Sequence, residues 1–225
     1  MRIVSKEYEL YTFDELSDDV KQDLISRERQ YQLDSYCELY LRDDMGLKAS
    51  DLINDYFGIT SDYVNTYYDL SYCQGSGAMV EFDINIKDLN NRYKVFSDEE
   101  IRFLVDNNIV EYIDIRHNNN YYYHEYSFSV NYDYYNGYSY EDIKDKYEIT
   151  EKEFDTLEDR LYELLDSSNK HNTKSEFVKD IINLNGELCK YGYKQIEYWN
   201  NCSDDEIISY IVDYENEYLE NGEMF

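Results

Sequence analysis

The chain has 225 residues, 50 of them Asp or Glu against 21 Lys or Arg, for a formal net charge of −29. A polyanion of this kind is repelled by nucleic acid and by anionic membranes, so a partner held tightly has a basic face, such as that of a nucleic-acid-binding protein. Intrinsic disorder is excluded by a hydrophobic fraction of 42% and an aromatic fraction of 17%, because disordered acidic chains are poor in aromatics.

The helix starts come first in chain order, as S/T-x-x-E boxes that satisfy two orphan amides each. They stand at Thr12 with Glu15, Ser97 with Glu100, Thr150 with Glu153, Thr173 with Glu176 and Ser203 with Glu206. The first helix is expected to carry Val20, Leu24, Ile25 and Tyr31 on one face, run towards Leu41 and end near Gly46, with a short helix from Leu52 to Phe57 after it. The apolar period then changes to two. Tyr63 to Cys73 and Ala78 to Ile86 read as strands joined by the turn Gln74-Gly75-Ser76-Gly77. After a short helix at Ser97, Val110, Tyr112, Ile113 and Ile115 predict a third strand and Tyr122 to Tyr132 a fourth, with His117 to Asn120 as the turn between them.

From Tyr138 the pattern is helical again. Phe154, Leu157, Leu161, Leu164 and Leu165 share a face, as do Phe177, Val178, Ile181, Ile182 and Leu184, then Ile207, Ile208, Ile211, Val212 and Leu219. The expected fold is α+β: a mostly antiparallel sheet of about four strands with flanking helices and a helical C-terminal part. It is read as one domain over 1–225, sheet-rich over 60–137 and helical over 138–225. No internal repeat or linker interrupts it.

Negative charge concentrates at the helical end, where residues 140–225 hold 23 acidic and 9 basic side chains. On the last helix, Glu206, Asp213, Glu217 and Glu220 fall within roughly 60° of one another in a column about 21 Å long, opposite the isoleucine face. Glu151, Asp155, Glu158, Asp159, Glu163 and Asp166 form a broader stripe on the Thr150 helix. Rows of carboxylates on a folded scaffold can occupy a basic groove that otherwise holds phosphates. The alternative is a solvated helix face, and Asp or Glu in a first turn also suits the helix dipole. The 29 tyrosines add contact area with a polar tip suited to interfaces, although an AT-rich genome also encodes abundant Tyr, Asn and Ile with no Pro.

Other chemistry is sparse. His117 and His124 flank the expected turn but lack further ligands for zinc, so no metal or cofactor is expected. Gln74 to Gly77 lacks the Lys and the helix of a phosphate loop. Asp and Glu pairs are too many for any one to stand out as a catalytic pair. Cys37, Cys73, Cys189 and Cys202 contain no C-x-x-C, and with no signal peptide or apolar span they read as free thiols of a cytoplasmic protein.

Four stretches carry a resemblance: Thr12-Phe-Asp-Glu-Leu-Ser-Asp-Asp, Asp69-Leu-Ser-Tyr-Cys-Gln-Gly-Ser-Gly-Ala, Arg116-His-Asn-Asn-Asn-Tyr-Tyr-Tyr-His124 and Asn216-Glu-Tyr-Leu-Glu-Asn-Gly-Glu-Met-Phe225. Together they resemble a family of small acidic phage and prophage proteins with an L-S-Y-S-Q-G-D-G-A-like turn, in which Cys73 here replaces Ser and Ser76 replaces Asp. The resemblance implies a phage origin, a site of action in the host bacterial cytoplasm, and kinship in role with anti-CRISPR or anti-restriction inhibitors. The leading expectation is thus a non-enzymatic inhibitor whose acidic surface docks on a Cas effector or restriction complex. Its partner-binding residues would be Glu206, Asp213, Glu217 and Glu220, then Glu151, Asp155, Glu158 and Asp159. The alternatives are an enzyme or metal-dependent modifier of a nucleotide or signalling molecule, with the Tyr and His sheet as its pocket, and an antitoxin-like partner of a basic toxin.

Overall fold

The computed structural model describes residues 7–71, 76–107, 109–118, 122–132 and 150–225. Its helices are α1 (Asp18–Leu39), α2 (Leu41–Phe57), α3 (Ile86–Tyr93), α4 (Asp98–Asp106), α5 (Glu151–Leu165), α6 (Glu176–Asn201) and α7 (Asp204–Asp213), and its strands are β1 (Val64–Asp69), β2 (Gly77–Asn85), β3 (Tyr112–His117) and β4 (Phe128–Tyr132). The fold is α+β, with the strands in one antiparallel sheet of order β1-β2-β3-β4. Where the sequence reads as one domain, the contacts sort into two compact units, residues 42–193 and residues 1–41 with 194–225.

In the unit spanning 42–193, the period-two pattern of β2 separates two chemistries. Ala78, Val80, Phe82 and Ile84 are buried on one face, and the register sets Phe82 opposite Val64 and Ile115, with Ile115 opposite Val130. Helices cover this face: the Phe57 ring of α2 lies 5.3 Å from Phe82 and 5.8 Å from Phe177 of α6, while Tyr93 of α3 meets Phe177 edge-on at 5.8 Å. The opposite face carries Asn65, Tyr67, Glu81, Asp83, Asp114 and Arg116. Two close approaches fix the sheet's surroundings. A Cβ on Gly77 would lie 2.4 Å from the Tyr123 carbonyl oxygen, and one on Gly192 would lie 2.7 Å from Leu70.

The unit built from 1–41 and 194–225 has its own core of Phe13, Leu16, Leu24, Ile25, Cys202, Ile207, Ile211 and Tyr218. Backbone bridges join Tyr11 to Tyr218 and Tyr218 to Met224. The turn between the last two residues needs Gly222 at φ +78°, where a side chain would also strike Val20.

Several boundaries differ from the sequence reading. Thr12 and Glu15 form their box around a single 3-10 turn, Phe13–Glu15, and Ser17 takes the N-cap position of α1. That helix stops at Tyr40, where φ is −120°, and Gly46 lies inside α2. Asp43 and Asp44 fall in the first turn of α2, where the helix dipole favours them, and Met45, Ala49, Leu52 and Ile53 are buried at helical spacing. The strand expected to reach Ile86 ends at Asn85, whose side chain accepts the Lys87 amide and caps α3. The fourth strand begins only at Phe128, because Ser127 closes a turn onto the His124 carbonyl. Ser175 displaces Thr173 as cap of α6, its hydroxyl accepting the Val178 amide while the Thr173 hydroxyl accepts the Ser175 amide. The Gln74-Gly75 half of the expected turn and residues 138–149 of the expected helical part lie outside the described residues.

Candidate functional site

The carboxylates of α5 stand where the sequence places them. Phe154, Leu157, Leu161, Leu164 and Leu165 are buried, which turns the opposite side of the helix outward. Glu151, Asp155, Asp159 and Glu163 are exposed there at four-residue spacing, and Glu158 is half-buried beside them. At about 1.5 Å per residue the row is about 18 Å long, with about 6 Å between charges. Duplex DNA carries a charge every ~1.7 Å of axis, so the row is too sparse to copy phosphates one for one. Tyr162, next to Glu163 at the C-terminal end of the row, has 59% of its surface exposed. Of the helix's two cations, Lys152 lies at the edge of the row, whereas Arg160 turns away to pair with Glu100 and stacks 5.1 Å from the Phe96 ring centroid. Asp166 lies past the helix end and binds the Ser168 amide, which together with the Ser168 side chain holds its carboxyl below the usual range.

The second expected set is not a column. α7 ends at Asp213, Tyr214 closes it, and Glu215 adopts φ +50°, a conformation that breaks the helix. Glu217 and Glu220 lie in the segment that bridges through Tyr218 to Tyr11 and Met224. Tyr218, 4% exposed, instead joins the core with Ile207 and Ile211 from a segment held by backbone bonds to Tyr11. Glu206 serves the fold, since its carboxylate accepts the Ser203 amide at 3.1 Å and the Cys202 thiol at 3.3 Å. Those bonds, the Cys202 one foremost, hold its carboxyl below the usual range. The C-terminal set belongs to a different compact unit from α5.

The polar sheet face gathers residues that the sequence reading did not single out. Glu81, 7% exposed, accepts the His117 amide at 2.8 Å, the Tyr63 hydroxyl at 2.8 Å and the Tyr67 hydroxyl at 3.3 Å. Burial pushes its carboxyl up, but bonds from His117, Tyr63, Asn65 and Tyr67 outweigh that and hold it below the ordinary value. The same contacts raise the tyrosines, Tyr63 chiefly through its bond to Glu81 and Tyr67 chiefly through burial. Tyr67 stacks on His117 at 5.1 Å and on Tyr123 at 6.1 Å. His124 faces elsewhere, its Nδ1 accepting the Tyr126 amide, and the Tyr126 ring lies 4.3 Å from His171. Arg116 pairs with Asp83 at 2.5 Å and Asp114 at 3.4 Å and lies 4.8 Å from the Tyr63 ring centroid. The available signal was the alternation of β2, which puts Glu81 and Asp83 between Val80, Phe82 and Ile84.

Among the described residues no group of three or more His, Cys, Asp or Glu is arranged to hold a metal ion, and no helix is long and apolar enough to cross a membrane. Comparisons with protein-family models, with curated proteins and with solved structures give no match.

Proposed function

We propose that this protein is a non-catalytic inhibitor that docks an acidic face on the basic nucleic-acid-binding surface of another protein. The observation that carries the reading is the α5 row, in which four carboxylates are exposed along one helix with the exposed Tyr162 beside its last member, on a chain of net charge −29. Carboxylates at this spacing steer association and compete with phosphate, and the tyrosine supplies the desolvated anchor that steering alone lacks. Charge pairing elsewhere supports the same direction. Arg29, Arg116 and Arg160 each pair with a carboxylate outside the α5 row, so none of them neutralises a member of that row.

The phage origin implied by the resemblance would make the partner a host defence complex, a Cas effector or a restriction enzyme, met in the bacterial cytoplasm. The sheet cluster reads as structural and not as a catalytic pocket: Glu81 is engaged by His117, Tyr63, Asn65 and Tyr67, and the Tyr67 ring stacks on those of His117 and Tyr123.

The test uses wild-type protein and a variant with Glu151→Lys, Asp155→Lys, Asp159→Lys and Glu163→Lys. Wild type should capture a nucleic-acid-binding protein from bacterial lysate at about 50 mM salt, lose it by about 500 mM, and block that protein's nucleic-acid binding at about one equivalent. Equal capture by the folded variant removes α5 from the interface. Inhibition well below stoichiometry points to catalysis instead.

A further inference from the structure

A groove of about 530 Å³ opens beside the polar sheet face, between the loop preceding β1 and the start of α3. Two of its walls are aromatic, Tyr63 at 41% and Tyr112 at 50% exposure. Asp62, Asp83 and Asp88 line it, and Lys87 at the rim offsets one of those charges. The groove's own wall displays the chemistry such a surface holds. Arg116 packs its guanidinium over the Tyr63 ring and pairs it with Asp83, so the structure already contains one cation recognised by a tyrosine face and a carboxylate together. Tyr112, Asp62 and Asp88 line the same groove, so it presents an aromatic ring and carboxylates together to a cation from outside.

From this arrangement we infer that the groove is a receptor for a single guanidinium group, an arginine side chain presented by the basic partner. The inference rests on the proposed function for the source of the arginine, and on the groove alone for its chemistry. Arginine is favoured over lysine because a planar guanidinium can stack on Tyr112 and bond a carboxylate bidentately at the same time. The groove is also separate from α5 in sequence and in its lining residues, so charge reversal on α5 leaves it intact.

The experiment titrates the full chain with N-acetyl-arginine amide and, in parallel, N-acetyl-lysine amide, following the Tyr63 and Tyr112 ring resonances by NMR. Saturable shifts of both rings are expected with arginine amide, with a Kd on the order of millimolar for so small a ligand. The lysine amide should bind at least about fivefold more weakly. In a variant carrying Asp62→Asn and Asp88→Asn, both exposed and outside the Glu81 cluster, the arginine affinity should fall about tenfold while the unfolding midpoint stays close to that of wild type. Non-saturating shifts, equal response to the two amides, or unchanged affinity in the double variant each overturn the inference. Failure of the α5 reversal with the amide still bound at the groove rejects the proposed interface and leaves the groove standing. Loss of amide binding while α5 reversal still abolishes capture does the opposite.

Discussion

The sheet face around Glu81 and the outer face of α5 use the same side-chain type to opposite ends. On the sheet, a carboxylate is withdrawn from water and receives hydrogen bonds from His117, Tyr63, Asn65 and Tyr67, so its charge is consumed by the fold. On α5, four carboxylates point to solvent, and the nearest arginine on that helix is turned inward to Glu100. Charge that a fold engages contributes to stability; charge that it leaves in water is available to a partner. The strongly acidic composition is therefore not one property but two, and substitutions can separate them.

The largest effect should come from Glu81. Glu81→Ala leaves the Tyr63 and Tyr67 hydroxyls and the His117 amide without their acceptor, and a loss of about 3 kcal/mol is expected by denaturant unfolding. A change below about 1 kcal/mol would mean that water replaces the carboxylate and that the cluster is not structural. Capture of the partner, measured on the folded fraction, should be unaffected.

Next is Gly77→Ala. The new Cβ meets the Tyr123 carbonyl oxygen at 2.4 Å and the His124 Cα at 2.7 Å, both backbone, so the segment that brings Tyr123 onto the Tyr67 and His117 rings must shift. About 2 kcal/mol of destabilisation is expected, together with altered Tyr123 ring contacts by NMR. An unperturbed stack would show that this segment yields freely.

The helix boxes mark where the sequence was readable. Ser97, Thr150 and Ser203 each cap with their Glu three residues on, since a local bond needs only local sequence. Removing one, as in Ser203→Ala, should cost about 1 kcal/mol by the same unfolding measurement. The α5 row was readable for the same reason, because five buried apolar residues fix which way the helix faces. The column of Glu206, Asp213, Glu217 and Glu220 failed because its end is decided at a distance: Tyr218 pairs with Tyr11, more than 200 positions away, and the helix gives way at Glu215. Glu81 escaped notice on the same account, since its donors come from β1 and from the end of β3 and meet only when the sheet forms.

Acidification sharpens the contrast. Glu81 has a folded-state value below its unfolded one, so its contribution is complete above the ordinary carboxylate range and is lost as pH falls through the folded value. Stability measured from about pH 7 to about pH 3 should decline less steeply in Glu81→Gln than in wild type. Equal slopes would place the acid sensitivity in other carboxylates.

The smallest effect on stability should come from the residues that matter most to the proposed partner. In α5, Glu151 with Asp155, Asp155 with Asp159 and Asp159 with Glu163 are like charges four residues apart, each pair costing about 0.2–0.5 kcal/mol in an exposed helix. Against this, Glu151 gains about 0.5 kcal/mol from the helix N-terminus. Neutralising all four, with Glu151→Gln, Asp155→Asn, Asp159→Asn and Glu163→Gln, should therefore raise stability by about 0.5 kcal/mol while weakening capture of the cationic partner. A fold that keeps mutually repelling charges on its surface is giving up local stability there, and the proposed electrostatic role in binding would be the offset. If neutralisation instead destabilises the protein by more than about 1 kcal/mol, those carboxylates are engaged by the fold as Glu81 is, and the distinction between the two faces disappears.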